Sequence, residues 1–417
     1  MPRTSKSAGR GTNGTGSIRK ITSTKNGKTY TYWQGRYTMG IDPLTGKQKQ
    51  GSVSGKTQKE VAQKLRQITS EIDKGLFVAP SRLTVRDWLN QWRTDYLVDV
   101  KPSTAYLYER TLELHVIPFI GQVKLDSLTS QMVQKMYNEL ISPTDDSRKP
   151  LAAKSVKDVH GVLHKALEQA AANGLMKLNP TNACVLPKGE RKEIQPLEED
   201  QVGPFLRAID GHIHEYIYKI TMFTGLREGE VLGLTWDCVD LKDGTLTVKQ
   251  QLKREQQKGG KYYMSSTKNG KKRVIALAPT VIDLFQKQRR KLLDMQISAQ
   301  SAWADKATVF SMMTGCEEKF DLVFRNEVGE LLSYRTVYDC FKRIVAGIGL
   351  PNLRFHDLRH TFALISIRSG DDIKTVQSNL GHATAAFTLD VYGHVTGQMK
   401  RDSANRMENF IKGIAVE

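Results

Sequence analysis

Four short segments hold arginine, histidine and tyrosine in an order suited to attack on a phosphodiester. They are Thr224-Gly225-Leu226-Arg227-Glu228-Gly229-Glu230, His356-Asp357-Leu358-Arg359-His360, Leu380-Gly381-His382 and Tyr392-Gly393-His394. His356 and Arg359 are three apart, which puts them on one face of a helix. Tyrosine can form a covalent intermediate, but its phenol has a pKa of about 10 and needs its proton taken. The pentavalent transition state gathers negative charge that preorganised cations can hold, and guanidinium is always charged and planar. The departing 5′ oxygen needs a proton from a general acid. A lysine-rich stretch, Ser266-Thr267-Lys268-Asn269-Gly270-Lys271-Lys272-Arg273-Val274, offers candidates for that acid. Asn-Gly marks it as a β-hairpin turn, and its lysines could equally be solvated or contact phosphates.

These residues need a scaffold, and the chain is long enough for two to four domains at 417 residues. Residues 1–15 are a low-complexity basic tail, expected to be disordered until nucleic acid is met. Within 16–76, alternation predicts strands over Ser17–Thr22, Lys28–Met39 and Gln48–Val53, then a helix from Thr57 to about Lys74 with Glu60 completing a capping box. Arg19, Lys20, Arg36 and Tyr37 lie on or near these strands, and a basic sheet with aromatics can enter a DNA groove. Residues 83–184 read as four helices: Thr84–Val98, Pro102–Val116 with Ser103 and Thr104 as possible caps, Asp126–Ile141 and Ala152–Asn173. Asn179 to Pro196 is a Pro- and charge-rich connector. Residues 197–417 are mostly helical, with strands expected near Thr245–Gln251, Tyr262–Ser266 and Arg273–Leu277.

Composition narrows the partner. Sixty-two Lys and Arg against 44 Asp and Glu leave a net charge of +18, which favours a polyanion. Residues 1–60 contain twelve of the basic and two of the acidic residues, so ten of the eighteen surplus charges lie in a seventh of the length. Binding through such a block weakens as salt rises. Cys184, Cys238, Cys316 and Cys340 are scattered, with no metal-ligand spacing, and read as reduced core residues. Neither a leader peptide nor a membrane span is evident, so a cytoplasmic, nucleoid-associated protein is expected. The Gly9-x-Gly11-x-x-Gly14 letters follow no strand, and Gly51-x-x-x-Gly55-Lys56-Thr57 is one residue short of a phosphate loop. There is no dense acidic cluster of the kind two-metal nucleases need, so no metal and no cofactor are expected.

The arginine, histidine and tyrosine boxes together resemble those of the tyrosine recombinases, the lambda-type phage integrase family. The resemblance implies a phosphate clamp at Arg227 and a second at Arg359, an acidic support at Glu230 and proton transfer from the nucleophile Tyr392 to His356. It also implies phosphate contact or steering by His382 and a general acid at Lys268, with Lys271 and Lys272 as competitors. His360 reads as structural. The implied fold is multidomain and mainly α: an N-terminal arm-binding module of three strands and a helix, a four-helix SAM-like core-binding domain, and a mostly helical catalytic domain with a small sheet. The implied activity is cleavage and rejoining of DNA through a 3′-phosphotyrosine, for integration and excision of a mobile element. A basic strand module ahead of the core-binding domain is most like integrases of phages and integrative conjugative elements of Gram-positive bacteria. Implied partners are duplex DNA at core and arm sites, three further copies in a homo-tetramer, and an excisionase or a host DNA-bending protein. A short amphipathic helix over Ser403–Ile414 would dock in its own domain or on a neighbouring copy. Two other readings stay open: relaxation of supercoils as by a type IB topoisomerase, and a catalytically inert architectural protein.

Overall fold

The computed structural model describes residues 17–25, 28–41, 46–74, 77, 82–145, 147–189, 195–255, 259–268, 270–382, 401, 404–405, 407–408 and 411–412. They belong to two compact units, Met1–Glu190 and Arg191–Glu417.

The first unit starts with three antiparallel strands in the order β1 (Ser17–Lys25), β2 (Lys28–Ile41), β3 (Gln48–Gly55). Each outruns its apolar alternation, because ladder bonds continue through Ser, Thr and Lys that carry no hydrophobic signal. Helix α1 (Gln58–Asp73) begins as its sequence predicts, with the Thr57 hydroxyl accepting from the Glu60 N–H at 3.2 Å. The return bond falls one residue short of a capping box: the Glu60 carboxylate accepts from the Lys56 N–H at 2.9 Å. Val61 and Leu65 of α1 close a small core with Tyr37, joined by Ile18, Trp33 and Phe77.

A second, larger core in the same unit is built by α2 (Val85–Tyr96), α3 (Pro102–His115), α4 (Ile117–Ile120), α5 (Ser130–Ile141) and α6 (Ala153–Ala172). That is the four predicted helices plus α4, a single turn. Thr84 and Asp87 form a full capping box on α2. Lys101 precedes α3 without a side-chain cap, so Ser103 and Thr104 sit inside the helix and cap nothing. Residues Leu125–Ser127 make a 3-10 turn, and Thr129 starts α5 four residues later than predicted. The segment after α6 is more ordered than a connector. Asn179 is buried, donates to the His164 carbonyl at 3.1 Å and the Glu168 carboxylate at 2.8 Å, and leads a 3-10 turn over Pro180–Ala183.

In the second unit α7 (Glu199–Ile209), α8 (Glu215–Thr224) and α9 (Glu228–Leu232) precede the strands β4 (Val239–Asp240), β5 (Thr245–Val248), β6 (Gln250–Arg254), β7 (Tyr262–Ser266) and β8 (Arg273–Ala276). After α10 (Pro279–Ala299) come β9 (Ala307–Ser311), β10 (Cys316–Phe320), α11 (Tyr334–Gly347), α12 (Asp357–Arg368) and α13 (Ile373–Leu380). The single small sheet expected is in fact two, ordered β10-β9-β7-β6 and β4-β5-β8. β10 gives no strand signal in the sequence because Cys-Glu-Glu-Lys-Phe is polar, and its place at a sheet edge tolerates those charges. Cys316 there is exposed, contrary to the expected core position, whereas Cys238 and Cys340 are buried.

Candidate active site

Two tight turns bring the motifs together. Helix α8 ends at Gly225 in the left-handed conformation, φ 67°, which glycine adopts without a Cβ penalty. Two residues later Arg227 caps α9, and Glu230 reaches back to it, accepting from the Arg227 N–H at 3.0 Å and from Nη1 at 2.8 Å. Helix α13 ends in the same way at Gly381, φ 63°, and presents His382 just beyond. The His382 N–H donates to the Gln377 carbonyl at 3.1 Å, which pins that turn.

Three guanidiniums converge on three successive carbonyls at this helix end. Arg273 Nε donates to Asn379 O at 2.7 Å, Arg359 Nη2 to Leu380 O, and Arg227 Nη2 to Gly381 O at 3.5 Å. The last turn of a helix leaves carbonyls unpaired and partly negative, so cations are favoured there. Arg359 is 1% exposed, and its Nη1 also donates to Gly225 O at 2.6 Å. Nothing in the sequence singles out Arg273. It holds Glu230 through both oxygens, Nη1–Oε1 3.0 Å and Nη2–Oε2 2.6 Å. Its only signal in the chain was a basic residue entering an apolar strand, and nothing in that pattern marks burial.

Charge is concentrated here and largely kept from water. Burial alone would raise the Glu230 carboxyl, but the hydrogen bond and charge of Arg273, then Arg227, overcome it and hold the group at about 2. Burial pushes His356 down to about 4, aided by Arg359 and Arg227 against the pull of Asp357. His382 is likewise lowered to about 4, by burial first and then by Arg359 and Arg227. Both imidazoles are therefore neutral at pH 7 and able to accept a proton. His356 precedes the first residue of α12, and its carbonyl accepts from the Arg359 N–H at 3.2 Å, so one backbone turn joins the two residues. His360, its ring 4.9 Å from that of His356, is buried and held at about 3, again by burial first.

The lysine stretch differs from its sequence reading. β7 and β8 do not pair as a hairpin: β7 pairs with β6 and β9, and β8 with β5. Six residues of chain separate Ser266 of β7 from Arg273 of β8, where the single residue Lys249 separates their partners Gln250 and Val248. The Thr267 hydroxyl donates to the Lys271 carbonyl at 2.8 Å and the Gly270 N–H to the Thr267 carbonyl at 3.0 Å. Lys268, Lys271 and Lys272 are all exposed on this loop. Gly270 is left-handed, φ 69°, while Asn269 of the expected Asn-Gly turn lies outside the described residues; the long-range pairing of β5 and β6 with the flanking strands decides how far apart β7 and β8 lie along the chain. Tyr392 lies outside the described residues, as do residues 1–15.

In the first unit Arg19 and Arg36 are exposed on the sheet face away from α1, Arg19 opposite Gln34 and donating to its side chain at 3.2 Å. Lys20, opposite Trp33, belongs to the other face. Tyr37 is 6% exposed and packs edge-on against Phe77 at 5.5 Å. It is a core residue, not a groove-facing one: the period of two that made Arg36 outward makes its neighbour inward. Among the described residues no group of His, Cys, Asp or Glu is placed to hold a metal ion, and no helix is long and apolar enough to cross a membrane.

Residues 195–399 match the family described as the phage integrase family, and residues 84–141 match the phage integrase N-terminal SAM-like domain. A tyrosine recombinase XerC-like protein of Caldanaerobacter subterraneus is 26% identical over 408 residues, covering 94% of this chain and 99% of that one. The ICEBs1 integrase of Bacillus subtilis is 22% identical, covering 90% and 96%. Among solved structures, the Tn1549 transposon integrase in complex with a circular intermediate DNA superposes with a TM-score of 0.62 at 22% identity, over 78% of this chain and 99% of that one. A lambda integrase tetramer bound to a Holliday junction gives 0.55 at 19%, over 88% and 94%.

Proposed function

Because the chain belongs to the phage integrase family, the tyrosine recombinases, we propose that it integrates and excises a mobile element by cutting and rejoining DNA at the site built around Arg227 and Arg359. The observation that carries this reading is the pairing of those two guanidiniums on the adjacent carbonyls of Gly381 and Leu380. Two carbonyl oxygens one residue apart offer them neutral acceptors; a phosphodiester offers two charged ones in their place, and bonds to charged acceptors are the stronger.

The chemistry then runs in balanced steps. Tyr392 Oη attacks the phosphorus and gives its proton to neutral His356. The bond from phosphorus to the 5′ oxygen breaks, and that oxygen leaves with a proton from Lys268. The 3′ phosphate stays on Tyr392 as a diester, with Arg227 and Arg359 having held the added charge of the transition state. His382 steers the nucleophile or bonds the phosphate. A 5′ hydroxyl from the partner strand reverses the sequence and releases the enzyme. No divalent cation is needed for any step, so cleavage should persist in excess chelator.

Residues 16–76, 83–184 and 197–417 divide the work as arm-binding, core-binding and catalytic segments on this reading. The open face bearing Arg19 and Arg36 supports the arm-binding assignment. Exposed Met407 and Ile411 support docking of the C-terminal segment on a neighbouring copy in a DNA-bound tetramer, with an excisionase or host bending protein setting direction. The element is of the phage or integrative conjugative kind, and the enzyme acts in the cytoplasm on the nucleoid.

A nicked suicide substrate tests the central claim. Wild-type protein should become trapped on the 3′ phosphate, and Tyr392→Phe should bind the same DNA yet form no adduct. An adduct that persists in Tyr392→Phe sinks the assignment of the nucleophile.

A further inference from the structure

We propose that Arg273 is a positioning residue that keeps Glu230 from cancelling the charge of Arg227. The inference rests on the reading of Arg227 as a phosphate clamp.

Glu230 accepts four hydrogen bonds, two on each oxygen. Oε1 takes Arg227 Nη1 at 2.8 Å and Arg273 Nη1 at 3.0 Å. Oε2 takes the Arg227 N–H at 3.0 Å and Arg273 Nη2 at 2.6 Å. A carboxylate this close to a single guanidinium makes a neutral pair, and an arriving phosphate would then meet a cation already matched by an anion. The second guanidinium changes the count: two cations and one anion leave one net positive charge. Burial decides where it is felt. The side chains of Glu230 and Arg273 are 1% and 9% exposed, whereas that of Arg227 is 22% exposed. The enclosed pair Glu230–Arg273 is thus the matched one, and the surplus faces outward from Arg227.

Arg273 also fixes the turn that carries His382. Its Nε bond to Asn379 O ties β8 to the end of α13, one residue before the carbonyls that Arg359 and Arg227 use. A Cβ on Gly381 would lie 3.1 Å from Arg273 Cδ, so the side chain lies directly against that turn. One buried residue thereby sets the charge of one clamp and the height of the carbonyls against which both clamps rest. It touches no substrate itself.

Single-turnover cleavage of the nicked substrate by full-length Arg273→Lys, Arg273→Gln, Arg273→Gln/Glu230→Gln and Arg227→Ala separates the possibilities. Arg273→Gln should slow cleavage roughly 10- to 100-fold, the effect of losing a unit charge near the phosphate at an effective dielectric of about 20. Arg273→Lys, which keeps the charge but not the bond from Nε to Asn379 O, should retain more of the rate than Arg273→Gln. Adding Glu230→Gln to Arg273→Gln restores the net charge and should recover a large part of the lost rate, which a merely structural brace would not do. Equal loss in Arg273→Lys and Arg273→Gln, no recovery in the double variant, or a wild-type rate in Arg273→Gln would each overturn the proposal. Failure of Arg227→Ala to lose cleavage would instead overturn the clamp on which it rests.

Discussion

Arg359 reaches across 134 residues of sequence to donate Nη1 to the carbonyl of Gly225 at 2.6 Å. That bond joins the two arginine boxes, since Gly225 is the left-handed cap two residues before Arg227. The glycine is required twice over. Its φ of 67° is strained for other residues, and an added Cβ would meet Phe362 Cδ1 at 2.6 Å and Leu380 Cδ2 at 2.8 Å.

Gly225→Ala should therefore harm both fold and activity. Strain at a left-handed position costs about 1–3 kcal/mol, and the displaced carbonyl moves Arg359. Urea unfolding should report the first effect. Cleavage under conditions where the variant is fully folded should fall at least about tenfold, and a folded variant with normal cleavage would contradict the linkage.

Glu228 gives a prediction in pH. Burial raises its carboxyl to about 7, and its Oε1 has no hydrogen-bond partner among the described residues. A group whose folded pKa lies above its unfolded value favours the folded state below the unfolded value, and that advantage disappears as pH rises through the folded one. Glu228→Gln should thus gain stability relative to wild type between pH 4.5 and pH 8, by about 2–3 kcal/mol at one pKa unit per 1.36 kcal/mol. Chemical denaturation at the two pH values measures the difference. A difference that does not change with pH would show that the carboxyl is not held protonated.

The N-terminal sheet separates two kinds of residue that look alike in the chain. Arg19→Ala and Arg36→Ala should each reduce binding of arm-site DNA by the full-length protein and lower the salt slope by about one. Tyr37→Ala should instead destabilise the fold, by about 3–5 kcal/mol for an emptied aromatic site. Equal salt slopes in all three variants and wild type would remove the phosphate contacts.

The candidate boxes are legible in the sequence because the proposed chemistry demands particular residue types at short spacings, as at His356 and Arg359. Helix starts at Thr57 and Thr84 were readable for the same local reason. What escaped depends on distant chain. Arg273 is a basic residue in a basic run until Glu230 and Asn379, far away in sequence, enclose it. β9 forms because β7 lies beside it. Asn179 reads as a loop residue until α6 supplies His164 and Glu168.

The width of the loop between β7 and β8 bears on the general acid. A tight two-residue turn would fix Lys268 beside its strand, whereas a six-residue excursion lets any of Lys268, Lys271 and Lys272 approach a leaving oxygen. Sulfur in place of the bridging 5′ oxygen leaves without protonation. Lys268→Ala should cripple cleavage of ordinary DNA, by about 100-fold or more for loss of a general acid, and cut the sulfur-bridged substrate almost as fast as wild type. Lys271→Ala and Lys272→Ala should affect both substrates alike, because a lost phosphate contact is felt whatever the leaving atom. Rescue in either of those two and not in Lys268→Ala would move the acid downstream along the loop.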